Sequence, residues 1–140
     1  MSRLLIGIVA LAGLLGAGAI HASPTSAASC VRFSATNFDA SGDDNYNTNG
    51  EWVRIKNYCS TTKAVSGWTI HDYGRKHTYR FASGVSVKPG ATITLKTGVG
   101  RNTTSTRFWG RSYGAVWNNT GTEYAYLRDG NGTLRSQRGE

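Results

Sequence analysis

Apolar and polar residues alternate along several short stretches of the chain. In one of them, Val53 and Ile55 share one phase, while Trp52, Arg54 and Lys56 share the other. Successive side chains of a β-strand point to opposite faces, so this stretch predicts a strand with one buried and one solvated face. After residue 28 no stretch of eleven or more residues shows apolar residues spaced by three and four positions, the pattern of an amphipathic helix. We therefore expect an all-β domain.

The same alternation, with enrichment in Val, Ile, Thr and aromatic residues, predicts the remaining strands. The predicted strands are 31–36, 51–56, 68–71, 78–82, 91–96, 106–109, 124–128 and 133–137. Gly, Asn, Asp and Pro residues separate them as turn signals. Strands at this spacing predict an immunoglobulin-like β-sandwich of about seven to nine short strands. Three aromatic residues are expected in its core: Trp68, Phe81 and Trp117.

The first 28 residues have the layout of a secretory signal peptide. A basic start with Arg3 precedes an apolar run over 4–20, and small residues follow. We expect cleavage after Ala28, with Ala27 and Ala22 as alternative sites, and a mature domain over 29–140. The alternative is a membrane anchor, for which the glycine-containing run is at the short limit of a spanning helix. Cleavage implies a secreted protein that is no longer attached to a membrane.

Export determines how the two cysteines are interpreted. Cys30 and Cys59 are the only cysteines in the sequence, and an even pair in an oxidising compartment predicts a disulfide. The alternative is lipidation of Cys30, because the residues before it weakly resemble a lipidation signal. That signal lacks the expected Leu and lies well beyond the apolar run.

The chain is basic, with 16 Lys and Arg against 8 Asp and Glu and a net charge of +8 over 140 residues. The length predicts a single small domain and argues against a two-domain enzyme. Cations interleaved with aromatic residues suit a surface that binds phosphate backbones. The predicted contacts are Arg54, Lys56, Arg75, Lys76 and Arg80. The expected partner of this monomeric protein is nucleic acid or a wall polyphosphate. The alternative is that it docks another exported protein.

The residues that could carry catalysis form a poor set. His71 and His77 flank one turn with Asp72 beside the first, and no nucleophile is placed with them by the sequence. Asp72 is expected to cap that turn. Zinc would need three or four ligands, which this spacing does not supply. We expect a protein that is not an enzyme and uses no cofactor, with a small secreted hydrolase as the remote alternative.

Oxygen donors concentrate before the strand at Glu51. Asp39, Asp43 and Asp44 are weak calcium candidates, since carboxylate oxygens are hard ligands. The twelve-residue loop of an EF-hand does not fit, because the positions of its glycine and bidentate glutamate hold Thr48 and Arg54. The alternative is a turn satisfied by its own backbone, and no metal site is favoured.

The order of motifs resembles the bacterial lamin-tail domain family. The motifs are NGEWVRIKN at 49–57, VSGWTIHD at 65–72, HTYRFASGVSVKPGATITLKTG at 77–98, RFWG at 107–110 and VWNNTGTEYAYLRDGNGTL at 116–134. The resemblance implies an immunoglobulin-like β-sandwich used for binding or scaffolding, and it implies no catalytic residue. Nuclear lamins add a helical rod and a C-terminal prenylated cysteine that this sequence lacks, so their filament role is not implied.

Overall fold

The computed structural model describes residues 29–140, and the predicted signal peptide lies outside them. Short 3₁₀ helices occur at Thr48–Gly50 and Tyr73–Arg75, and within this range no helix is long and apolar enough to cross a membrane. The strands of the described residues are β1 (Val31–Asn37), β2 (Trp52–Asn57), β3 (Lys63–Ala64), β4 (Thr69–His71), β5 (Thr78–Arg80), β6 (Ser86–Val87), β7 (Thr92–Lys96), β8 (Thr106–Phe108), β9 (Tyr124–Arg128) and β10 (Leu134–Gly139).

The strands form two four-stranded sheets and one small ribbon. The first sheet has the order β1-β2-β7-β8 and the second the order β10-β9-β4-β5, while β3 pairs only with β6. All pairings are antiparallel except that of β7 with β8, which is parallel. Every strand predicted from the alternation is present within a few residues. The ribbon was not predicted, because strands of two residues each are too short to show alternation.

The two sheets pack face to face around one apolar core. Val53 and Ile55 of the first sheet and Ile70 and Leu127 of the second are at most 1% exposed and belong to one buried cluster. These residues occupy the inward phase of their strands, so the outward phases of the two sheets point in opposite directions. The predicted immunoglobulin-like sandwich is confirmed.

The aromatic residues expected in the core take two different positions. Phe81 and Trp117 are fully buried, as predicted. The prediction for Trp68 was wrong, because this side chain is only half-buried and packs against the core from outside it. Trp68 lies just before β4 and lines a surface cleft with Val31 and Arg135. It therefore covers the side of the sandwich instead of filling the space between the sheets.

A disulfide joins Cys30 and Cys59, with their Cα atoms 5.3 Å apart, as the sequence predicts. The cysteines flank the pairing of β1 with β2, in which Val31 lies opposite Asn57. The Tyr58 amide also donates to the Cys30 carbonyl oxygen at 2.7 Å. The bond thus holds β1, an edge strand, to the body of the first sheet.

Replacing both cysteines by serine should lower the free energy of unfolding by about 3 to 4 kcal/mol, because the disulfide reduces the conformational entropy of the unfolded chain. The cysteines are 29 positions apart in the sequence. Urea denaturation of the Cys30→Ser, Cys59→Ser variant against the oxidised protein measures the loss. The reduced wild type is the control and should match the variant. Equal stability of oxidised protein and variant would contradict the prediction.

Candidate polyanion interface

The outward face of the first sheet displays the cations that the alternation placed there. Val53 and Ile55 are fully buried, whereas Trp52, Arg54 and Lys56 are half-exposed on the opposite side of β2. Neighbouring strands fix this orientation, because Arg54 lies opposite Thr94 of β7. The Arg54 Nε donates to the Thr94 hydroxyl oxygen at 2.9 Å. The structure therefore supports the sequence interpretation of this strand.

Two further cations join this face from the adjacent strands. Arg32 of β1 lies opposite Lys56, and Lys96 of β7 lies opposite Trp52. Sequence reasoning did not include either residue among the contacts. The sequence did indicate an outward position for Arg32, because this residue lies between Val31 and Phe33, two apolar residues of the inward phase. We define the cationic sheet face as Arg32, Arg54, Lys56 and Lys96.

No carboxylate belongs to the strands that form this face. Within the described residues, β1, β2, β7 and β8 contain neither Asp nor Glu. Glu51 immediately precedes β2, but its side chain is buried and accepts hydrogen bonds from the backbone of Val116 and Trp117. The cations of the sheet face therefore add their positive potentials without a neutralising partner in the sheet.

Aromatic rings hold three of these cations along the surface. The Arg32 guanidinium carbon lies 4.1 Å from the centre of the Tyr58 ring, and the Lys56 ammonium nitrogen lies 5.2 Å from the same centre. The Arg54 guanidinium lies 4.8 Å from the centre of the Trp52 ring. Stacking uses the face of a guanidinium and leaves its edge free to donate hydrogen bonds. The arrangement presents donors to a ligand laid across the sheet.

The other predicted contacts lie on the second sheet. Arg80 ends β5, while Arg75 and Lys76 belong to the turn between β4 and β5. Because the outward faces of the two sheets point in opposite directions, these three residues do not share a surface with Arg54 and Lys56. The sequence could not show this division, since strand order in the sheets depends on pairings between distant segments.

The three calcium candidates are only partly brought together. The Asn119 side-chain amide contacts carboxylate oxygens of both Asp39 and Asp44. Asp43 instead serves its own turn, because its carboxylate accepts from the backbone and side chain of Asn45. Residues 29–140 contain no group of three or more His, Cys, Asp or Glu side chains able to hold a metal ion.

His71 and His77 are engaged in hydrogen bonds at the turn between β4 and β5. His77 Nδ1 lies 2.8 Å from one carboxylate oxygen of Asp72, and its backbone amide donates to the other at 2.9 Å. The Asp72 carboxylate thereby connects the start of the turn to its end at His77. His71 bonds to the Asp72 carbonyl oxygen and to Arg128. Neither ring is hydrogen-bonded to a hydroxyl or thiol among the described residues.

Comparison with known proteins assigns a family to this architecture. The profile of a family described as Lamin Tail Domain matches residues 24–140, which is most of the chain. No curated protein matches the sequence significantly.

Proposed function

The chain belongs to the lamin tail domain family, and on this premise we propose that it binds an anionic polymer on its cationic sheet face and catalyses no reaction. Membership in this family of immunoglobulin-like domains supports a binding or structural module. The observation that carries the finer proposal is the grouping of Arg32, Arg54, Lys56 and Lys96 on a face whose strands hold no carboxylate. The ligand class is nucleic acid or polyphosphate.

The shape of the face suits a polymer that is recognised by its backbone. Strands in a sheet are about 4.8 Å apart, so cations on β1, β2 and β7 form a patch about 10 Å across that several phosphates can span. Arginine and lysine contacts to phosphate oxygens position a nucleic acid without distinguishing its bases. Binding is therefore expected to depend little on sequence and strongly on salt.

Location outside the cytoplasm is part of the proposal. The disulfide between Cys30 and Cys59 persists in oxidising compartments and is rare where thiols are kept reduced. The predicted signal peptide supplies the route. The domain then binds a wall polyphosphate or extracellular nucleic acid, and it does so as a monomer.

Affinity for DNA should fall about a hundredfold when salt rises from about 50 to 200 mM, because four cations release about four counterions. Fluorescence anisotropy with labelled duplexes of two unrelated sequences, and competition by polyphosphate, measures this. We expect similar affinities for both duplexes. Absence of binding at the lower salt concentration, in oxidised and folded protein, would overturn the proposal.

The double variant Arg54→Glu, Lys56→Glu should weaken DNA binding at least tenfold at low salt. Its matched control is Lys76→Glu, Arg138→Glu, which changes net charge equally at two exposed positions, one in the turn before β5 and one on β10. We expect the control to bind nearly as the wild type does. Equal losses in the two variants would show that net charge, and not the cationic sheet face, governs binding. Melting temperatures verify that both variants fold.

A second candidate function is docking of another exported protein. The observation that favours it is the pair Tyr46 and Tyr113, whose rings meet edge to face at 5.2 Å although the residues are 76% and 58% exposed. Exposed aromatic residues are enriched at protein interfaces. Such binding would change little with salt, so the salt titration separates it from polyanion binding.

A further inference from the structure

A second basic site lies on the opposite side of the sandwich, in a cleft of about 320 Å³ on the second sheet. Thr69 of β4 lies opposite Arg80 of β5 on one side and opposite Arg128 of β9 on the other. All three side chains line the cleft, and Arg75 from the following turn joins them. Three arginines and two threonines, Thr69 and Thr78, thus line one small volume. We call it the arginine cleft.

The positive charge of this cleft is not neutralised by the protein. Of the two ion pairs within residues 29–140, one joins His77 to Asp72 and the other joins Arg135 to Asp129. Asp129 borders the cleft, but one carboxylate oxygen lies 2.8 and 2.5 Å from Arg135 nitrogens. Although burial acts to raise it, hydrogen bonds from Arg135 and the backbone hold the pKa of Asp129 below its ordinary value. The charge of Asp129 is therefore paired with Arg135 and not with the arginines of the cleft.

Hydrogen bonds orient two of the guanidinium groups and leave donors free. Arg80 Nη1 donates to the Gly67 carbonyl oxygen at 2.8 Å. Arg128 donates from Nε to His71 Nε2 at 3.1 Å and from Nη1 to the Gly132 carbonyl oxygen at 3.0 Å. A guanidinium has five N–H donors, so each group retains unused ones.

The uncharged imidazole of His71 holds Arg128 in position. Arginine can only donate, so His71 Nε2 must be an acceptor, and the proton resides on Nδ1, 2.7 Å from the Asp72 carbonyl oxygen. Burial, followed by the charges of Arg75 and Arg128, lowers the pKa of His71. The ring also stacks on Tyr126 with 5.1 Å between centres. His71 therefore fixes the position of Arg128 without adding charge to the cleft.

The backbone of Arg75 is strained. With φ at +57°, it is the one residue other than glycine with positive φ in the described part of the chain. An L-residue in this conformation costs about 1 to 2 kcal/mol, and arginine is not among the residues that adopt it readily. Strain of this kind is concentrated at ligand sites. Here it accompanies a side chain that lines the arginine cleft.

We propose that the arginine cleft binds a single tetrahedral oxyanion, a phosphate or sulfate group, either free or carried as a monoester on a small molecule. Guanidinium groups match such oxygens with paired hydrogen bonds, and Thr69 and Thr78 add hydroxyl donors. The volume accommodates the anion with a small attached group. This site is independent of the proposed polymer binding, because it lies on the other sheet.

Titration with inorganic phosphate, inorganic sulfate and phenyl phosphate at constant ionic strength tests the proposal. NMR should show saturable shifts of the His71 ring and Arg128 Nε–H resonances, with the Arg54 Nε–H resonance unchanged. Tighter binding of phenyl phosphate would identify a monoester site, and equal or weaker binding a site for the free anion. Failure of all three probes to saturate the His71 shift would overturn the proposal.

Two variants distinguish a binding role from a structural one. Arg75→Asn removes a guanidinium while retaining a residue that tolerates positive φ, so we expect at least tenfold weaker anion binding with an unchanged or higher melting temperature. Arg80→Gln should also weaken binding at least tenfold. Unchanged anion affinity in both variants would overturn the proposal. DNA binding should persist in these variants, whereas Arg54→Glu, Lys56→Glu should keep anion binding, so the two proposals fail separately.

Discussion

Replacing Trp117 by alanine is expected to lower the free energy of unfolding by about 3 to 5 kcal/mol. The side chain is 2% exposed, stacks on Phe38 with 4.8 Å between ring centres, and meets Trp109 edge to face at 6.0 Å. Its removal leaves a large cavity and ends both aromatic contacts. A small domain has about 5 to 15 kcal/mol of stability, so this loss removes a large fraction of it.

The matched control is Trp68→Ala, which deletes the same side chain from a half-buried position. We expect a loss of about 1 to 2 kcal/mol, because less area returns to water and no interior cavity forms. Urea denaturation followed by circular dichroism measures both variants. Similar losses at the two positions would contradict the assignment of Trp117 to the core and Trp68 to the side of the sandwich.

Replacing Glu51 by alanine is expected to cost about 2 to 6 kcal/mol, since each buried donor left without an acceptor costs about 1 to 3 kcal/mol. The two donors are the Val116 amide, 3.0 Å from Glu51 Oε2, and the Trp117 amide, 3.3 Å from Oε1. Glu51 is 0% exposed, so water cannot replace the carboxylate. The loss would also displace Trp117 from its place in the core.

Glu140→Ala is the control for Glu51→Ala. Glu140 also accepts a backbone hydrogen bond, from the Phe38 amide at 2.8 Å, but the side chain is exposed. Water can satisfy the freed amide, so we expect a loss below about 1 kcal/mol. Chemical denaturation of both variants under the same conditions provides the comparison. A loss at position 140 as large as that at position 51 would contradict the argument from burial.

The pH dependence of stability gives Glu51 a separate signature. Burial raises the pKa of Glu51, while hydrogen bonds from Val116 and Trp117 oppose the rise. A carboxyl group that holds its proton more tightly in the folded state contributes most to stability below its unfolded pKa. This contribution is lost as pH rises through the raised folded pKa. Glu51→Gln should lack that dependence, and retention of it would assign the effect to another group.

Glu51 also explains why two separated sequence motifs belong together. NGEWVRIKN contains Glu51, and the motif that begins with VWNN supplies the two amides that it binds. One motif contains a strand of the first sheet, and the other begins in the loop that leads to β9. The sequence showed both motifs, but only the structure shows that a buried carboxylate connects them.

Local patterns determined much of this protein in advance. The strand at β2, the outward phase of Arg54 and Lys56 and the sandwich class all follow from alternation, which is a property of consecutive residues. Turn residues set the ends of strands in the same way. The predicted signal peptide and the presence of two cysteines together predicted the disulfide, because no other pairing was available.

Tertiary structure alone decided which residues became neighbours. Arg32 and Lys96 joined Arg54 because β1 and β7 pair with β2, and Arg80 and Arg128 met because both flank Thr69. Alternation shows which face of its sheet a side chain occupies. The pattern of alternation does not depend on which strand pairs with it, so it cannot show which side chains become neighbours. Strand order depends on how distant segments bury their apolar faces together, so the division of the cations between two opposite surfaces arose only in the folded chain.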